Sequence, residues 1–119
     1  MTPLGQKMRE LRAARGVTLK QMARALDVSS AYLSALEHGR RGRPTWILLQ
    51  RIMQYFNVIW DEAEELQRLA ELSDPKVSIE TGGLPAEATE FANRLARDIG
   101  RLSPEDLSAL QAELIKRVK

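Results

Sequence analysis

The sequence contains no cysteine. Disulfides, thiolate catalysis and cysteine-ligated zinc are therefore excluded. Histidine occurs once, as His38, which removes multi-histidine metal sites and most histidine-based catalysis. Aromatic residues are 5% of the chain, so a core must rest on Leu, Ile, Val, Met and Ala. The longest uninterrupted apolar run is the four residues from Trp46 to Leu49. A membrane-spanning helix needs roughly 20 apolar residues, so no membrane partner is expected. The opening residues MTPLGQKMRE hold no apolar signal-peptide segment, and a cytoplasmic location is expected. What remains is 119 residues, 44% hydrophobic and 29% charged. These proportions suit a globular protein of one domain, or a small domain with an appendage.

Net charge is only +2, but it is unevenly spread. Residues 1–60 carry ten Lys and Arg against Glu10, Asp27 and Glu37, whereas residues 61–119 carry eight basic residues against thirteen acidic ones. A basic half joined to an acidic half points to a polyanion as the partner of the first. Two solvated surfaces of different composition are the plainer alternative.

Helical periodicity runs through the chain. Thr2-Pro3 is a cap followed by proline at the first helical position. Leu4, Met8 and Leu11 then fall on one face of a helix that stops near Gly16. Thr18 to Gln21 fits a capping box, with Met22, Ala23 and Leu26 as the inner stripe of a second helix. Ser29 caps a third, with Leu33 and Leu36 inward and Gly39 at its end. The segment GRRGRP at 39–44 is a loop. Thr45 caps a fourth helix carrying Leu48, Leu49, Ile52, Met53 and Phe56, which Asn57 ends. A fifth runs from about Ile59 to Leu72 around Leu66 and Leu69. Its first turns hold Glu62, Glu64 and Glu65, where acidic groups suit the helix dipole. Beyond Ser73-Asp74-Pro75, Val77 and Ile79 alternate as in a short strand or extended arm. Pro85 opens a helix with Ala88, Phe91 or Ala92, Leu95 and Ile99 at helical spacing. Ser103-Pro104-Glu105-Asp106 starts the last helix, striped by Leu107, Leu110, Leu114 and Val118.

Residues 18–39, TLKQMARALDVSSAYLSALEHG, resemble the helix-turn-helix of the phage repressor and Cro type, the Xre family of bacterial regulators. Residues 4–58 match its five-helix pattern. Ala23 is small where the second helix passes the third. Val28 fills the turn. Leu33 and Leu36 hold the third helix inward, and Gly39 permits the left-handed turn after it. The resemblance implies an all-α fold: a five-helix DNA-binding domain over residues 1–74, then a short extended segment and a C-terminal helical hairpin over 75–119.

In such a unit the third helix enters the DNA major groove. The family's base-reading positions are the outward ones, which fall here on Ser30, Ala31 and Ser34, with Tyr32 beside them. Ser hydrogen-bonds several base edges and Ala contacts a thymine methyl. Tyr32 either stacks on sugars, reaches a base edge, or packs on the domain surface. Arg40, Arg41 and Arg43 lie in a loop that the family places along the phosphate backbone, and Thr45 with the first amides of the fourth helix offers another phosphate site. Where the family commonly has Gln at the start of the second helix this chain has Leu19, so that phosphate contact is lost or passes to Lys20. His38 either meets a phosphate or is a plain surface residue. Lys7, Arg15 and Arg24 are weaker phosphate candidates. Arg12 and Glu37 resemble an internal ion pair of the family that links the first helix to the third.

The last two helices carry clean apolar stripes that a 119-residue monomer hides only by folding them onto its core. Pairing with a second chain is the economical alternative, with Val77, Ile79, Leu95, Ile99, Leu107, Leu110 and Leu114 as the interface. The expected function is a homodimeric regulator, a repressor more readily than an activator, on a pseudo-palindromic duplex site. The acidic fifth helix leaves contact with RNA polymerase or another regulator open. The alternative is an antitoxin or adaptor whose main task is binding a protein. No nucleophile–base set, metal cluster or nucleotide loop is present, so neither enzymatic activity nor a cofactor is expected.

Overall fold

The computed structural model describes residues 1–119. Seven α-helices and one short 3-10 turn make up its regular structure, with no strand. The helices are α1 (Pro3–Arg15), α2 (Leu19–Ala25), α3 (Ser30–Glu37), α4 (Trp46–Tyr55), α5 (Trp60–Glu71), α6 (Ala86–Asp98) and α7 (Pro104–Val118). The chain divides into two compact units, Met1–Val77 and Ser78–Lys119.

The helices of the first unit begin where short polar side chains can cap them. Thr2 Oγ1 accepts a hydrogen bond from the Gly5 amide at 3.0 Å. Thr18 and Gln21 form the reciprocal capping box, at 3.0 and 2.9 Å. Ser29 accepts from the Tyr32 amide at 3.0 Å, and Thr45 from Leu48 at 3.2 Å. Each such cap satisfies an amide that the first turn leaves without a partner. Helix ends are equally local. Gly16 ends α1 at φ 64°, while Asp27 and Asn57 adopt φ 57° and 55° after α2 and α4. Asp and Asn tolerate this left-handed region better than other side chains do. α5 has no side-chain cap, and its first residue, Trp60, stands at φ 55°.

The core of this unit is Leu4, Met8, Met22, Ala23, Leu26, Leu33, Leu36, Leu49, Ile52, Phe56 and Leu66, all buried. Val28 is half-buried and packs against it, as a turn-filling residue does. The 77–81 segment forms no strand; it is an extended arm, because no second strand is present to complete a ladder.

One contact escaped the sequence pattern. α1 crosses the C-terminal end of α3 at Gly5, where a Cβ would lie 2.2 Å from the Glu37 carbonyl oxygen. The same carbonyl accepts a hydrogen bond from the Thr2 amide at 3.0 Å. Ser73 closes the unit from the other side. Its hydroxyl is buried, accepts from the Leu4 amide at 2.9 Å and donates to the Leu69 carbonyl.

The second unit is built differently. A turn at Thr81–Leu84, with Gly83 at φ 85°, leads into α6. Ser103 and Asp106 form a capping box at the start of α7. α6 and α7 are joined through the 3-10 turn Ile99–Arg101, and neither helix has a buried residue. The inner contacts are half-buried Ala88, Ala92, Leu95, Leu102 and Leu107, while Phe91 faces outward. The ambiguity between Phe91 and Ala92 thus resolves to the smaller residue. The hairpin is open, and its ion pairs, such as Arg94–Glu90 and Arg117–Glu113, are solvent-exposed i,i+4 pairs that stabilise little.

Gly5→Ala gains helix propensity of about 1 kcal/mol but drives a methyl into backbone that cannot swing aside. Overpacking of that kind costs about 1–3 kcal/mol. The variant is expected to unfold at lower urea than the parent. An equal or higher midpoint would show that α1 and α3 separate freely at this crossing.

Candidate nucleic-acid interface

The candidate interface is assembled on α3, which has eight residues and two faces. Leu33, Leu36 and Glu37 point into the unit and are buried, whereas Ala31 is exposed and Ser30 and Ser34 are half-exposed. The short outward side chains leave the N-terminal turns of the helix open to close approach by a groove edge. α2 packs against α3 through buried Ala23, and Val28 turns back to donate its amide to the Ala23 carbonyl at 3.0 Å.

The orientation of α3 is fixed at its far end. Glu37 is 1% exposed and Arg12 8% exposed, and the Arg12 guanidinium donates to the Glu37 carboxylate. The pair is wholly interior, a burial that helical spacing alone could not reveal.

The basic groups divide into those the fold uses and those it leaves free. Arg15 is used: it donates to the Tyr55 carbonyl at 3.1 Å and to the Phe56 carbonyl, and lies 5.6 Å from the centroid of the Phe56 ring. It caps the end of α4, which accounts for it without DNA. His38 is also engaged, its Nδ1 lying 2.8 Å from the Ser34 carbonyl at the end of α3, while the residue stays exposed. Arg40, Arg41 and Arg43 are exposed, and none of their side chains takes part in a hydrogen bond or ion pair within the chain. Lys20 is exposed on α2, next to half-buried Leu19, which packs on the core. Thr45 is committed through its hydroxyl to capping α4.

Tyr32 is half-buried and packs against the core of the unit. Above its ring, 5.9 Å from the centroid, lies the Arg41 guanidinium. Sequence reasoning assigned these two residues to separate tasks; the structure brings them together.

The family model for the helix-turn-helix domain matches residues 3–66. The chain belongs to the helix-turn-helix family. Members of this family are DNA-binding transcriptional regulators, and the matched residues include the segment 18–39. The chain is similar to an uncharacterized HTH-type transcriptional regulator, RghRB, of Bacillus subtilis (strain 168). The two are 38% identical over 61 residues, which cover 51% of this chain and 44% of that protein. The match therefore spans less than half of the relative's length. Among solved structures the chain is similar to one in the SinR protein/SinI protein complex, at 18% identity and a TM-score of 0.45, covering 98% of this chain and 99% of that one.

The residues named for dimerisation lie along the second half. Val77, Ile79, Ile99, Leu110 and Leu114 are exposed, and Leu95 and Leu107 half-buried. Leu84, Phe91, Ile115 and Val118 are exposed apolar neighbours that the interface assignment passed over. In the first unit Trp46, Ile47, Ile59 and Trp60 are also exposed. No helix is long and apolar enough to cross a membrane.

Removing one member of a buried ion pair leaves the other charge unpaired, at a cost of about 3–5 kcal/mol, whereas replacing both is far milder. Arg12→Met is therefore expected to destabilise the protein strongly. Arg12→Met with Glu37→Leu should recover most of the loss. Urea unfolding of the two single variants and the double variant checks this, and a double variant no more stable than Arg12→Met would contradict it.

Proposed function

We propose that the protein is a sequence-specific regulator that binds double-stranded DNA as a homodimer on a pseudo-palindromic operator, acting as a repressor from the cytoplasm. The observation that carries this reading is the arrangement on and after α3. Short polar side chains stand open at its N-terminal turns, and three exposed arginines, none of them in a hydrogen bond or ion pair within the chain, follow its C-terminus. Ser30, Ala31 and Ser34 read base edges, with Tyr32 beside them. Arg40, Arg41 and Arg43 neutralise phosphates, joined by Lys20, His38 and the first amides of α4 after Thr45. The unit supplies binding and orientation rather than a reaction, so catalysis forms no part of this reading.

The homodimer rests on the second unit. A pair of helices with no buried residue and five exposed large apolar side chains, Phe91, Leu110, Leu114, Ile115 and Val118, with exposed Ile99 in the turn between them, gains little stability from its own packing. Contiguous apolar surface of that kind marks an interface. A two-fold pairing would hold two recognition helices at a fixed separation suited to half-sites roughly 34 Å apart, and linkage would multiply two weak half-site affinities. The same exposed helices favour a second reading, an adaptor or antitoxin that uses this surface for a different protein. The exposed acidic face of α5, with Asp61, Glu62, Glu64 and Glu65, suits a contact with RNA polymerase or another regulator.

Two kinds of substitution separate phosphate contacts from base contacts. Arg43→Ala should weaken binding to random and selected duplexes alike and lower the slope of log K against log salt by about one. Ser30→Arg and Ser34→Arg should instead change the sequences enriched from a randomised duplex pool. Unchanged slopes and unchanged preferences together would remove α3 and its loop from the DNA interface.

A chain ending at Val77 keeps the first unit intact. It should fold, sediment as a monomer and lose on the order of 10²-fold in affinity for the selected site. Leu110→Asp with Leu114→Asp in the full chain should do the same. A shortened chain that remains a dimer would move the interface into residues 1–77. A full chain that is monomeric alone and assembles with a different protein would establish the adaptor reading.

A further inference from the structure

We propose that Tyr32 is a positioning residue for Arg41. Its ring is the platform that holds the Arg41 guanidinium beside α3, so that this one arginine of the loop is already in place when a phosphate arrives. The inference rests on the DNA-binding reading and assigns Tyr32 a task other than base contact.

The geometry is specific to this pair. Tyr32 lies on the first turns of α3, capped there through its own amide by Ser29 at 3.0 Å. Its side chain is half-buried against the core, so the ring has a fixed place. The Arg41 guanidinium sits 5.9 Å from the ring centroid, within the range over which the negative face of an aromatic ring attracts a cation. Arg41 needs such help. It stands in a loop between Gly39 and Gly42, backbone with high conformational freedom, and its long side chain loses rotamer freedom whenever it is fixed. Arg40 and Arg43 lie in the same loop with no aromatic ring beneath them and no hydrogen-bond or ion-pair partner within the chain.

Two consequences follow. A guanidinium held against a ring face keeps its edge N–H donors free, and phosphate is recognised through those donors. Part of the ordering that phosphate binding requires is therefore complete before DNA arrives, and binding is tighter for it. The ring face that holds Arg41 is also not free to stack on a base or sugar.

The test uses the full chain with two duplexes, one of random sequence and one enriched from a randomised pool by the wild-type protein. Arg41→Ala should lower the slope of log K against log salt by about one on both duplexes, and Tyr32→Leu, which removes no charge, should weaken binding to both duplexes alike. The double variant should lose no more affinity than Arg41→Ala alone. Tyr32→Phe, which keeps the ring and drops the hydroxyl, should retain the wild-type slope and the wild-type sequence preference. Wild-type affinity in Tyr32→Leu, additive losses in the double variant, or a Tyr32→Phe variant as impaired as Tyr32→Leu would each overturn the proposal. The last result would show a direct contact by the hydroxyl. A measurement on the wild-type protein guards against a Tyr32→Leu chain that does not fold. The Arg41 δ-protons should show an upfield ring-current shift in the NMR spectrum, and unshifted protons would overturn the platform. If Arg40→Ala and Arg43→Ala lower the slope while Tyr32→Leu binds both duplexes as tightly as the wild type, the DNA reading stands and the platform falls. If the wild-type chain shows no salt-dependent duplex binding, the DNA reading fails and takes the platform with it.

Discussion

Glu37 is the residue on which the arrangement of the first unit depends. Its carboxylate receives the Arg12 guanidinium, its carbonyl receives the Thr2 amide, and its backbone is the surface that Gly5 lets α1 approach. Two residues of α1 and the residue that caps it thus converge on the last residue of α3. A charge this deeply buried is tolerable only with its partner in place, so the ion pair acts as a condition on geometry more than as a source of net stability. α3 has just eight residues, too few to hold a direction by its own helical stability. Packing through Leu33 and Leu36 sets its inner face, and the clamp at Glu37 sets its axis.

That division lets one short helix serve two purposes. Burial belongs to Leu33, Leu36 and Glu37, and the outward positions Ser30, Ala31 and Ser34 carry no packing duty that would restrict them. Changes on the outward face alter what is touched, while changes on the inward face alter where the helix lies. The basic side chains show a similar economy. Arg12 and Arg15 are absorbed into the fold, one by a carboxylate and the other by the carbonyls that end α4. Of the three arginines after α3, Arg41 lies over the Tyr32 ring, while Arg40 and Arg43 have no partner within the chain.

The sequence disclosed most of the first unit because its signals are local. A threonine before a proline, a capping box, a serine four residues before an inward leucine and glycines at helix ends each act within a few residues. Their predicted positions agree with the helix limits found. The motif at 18–39 was legible for the same reason, since the spacing of Ala23, Val28, Leu33 and Leu36 is set by two helices in contact. What could not be read were pairings across the chain. Gly5 carries no sign of what crosses it, Ser73 meets Leu4 over a separation of 69 residues, and nothing in the spacing of Tyr32 and Arg41 states that a loop folds back over a ring. Arg15 shows the reverse limitation: a basic residue in a basic segment reads as a DNA contact until its carbonyl partners are seen.

The two units also differ in what their sequences had to specify. Met1–Val77 closes on its own core, so local signals and burial agree and the fold is determined within the chain. Ser78–Lys119 has equally strong local signals, including a capping box and clean periodicity, yet buries nothing completely. Its helices are specified but their tertiary partner is not. Isolated helices of 13 and 15 residues are marginal in water, and in proteins most of their stability comes from packing an amphipathic face. The stability of this half therefore depends on contacts beyond its own internal packing. In the pairing proposed above, association with another chain would also contribute folding free energy, and the fraction of ordered second unit would rise with the concentration of whatever covers it. Any affinity for DNA gained through that association would inherit the same concentration dependence, which would tie the strength of binding to the amount of protein present.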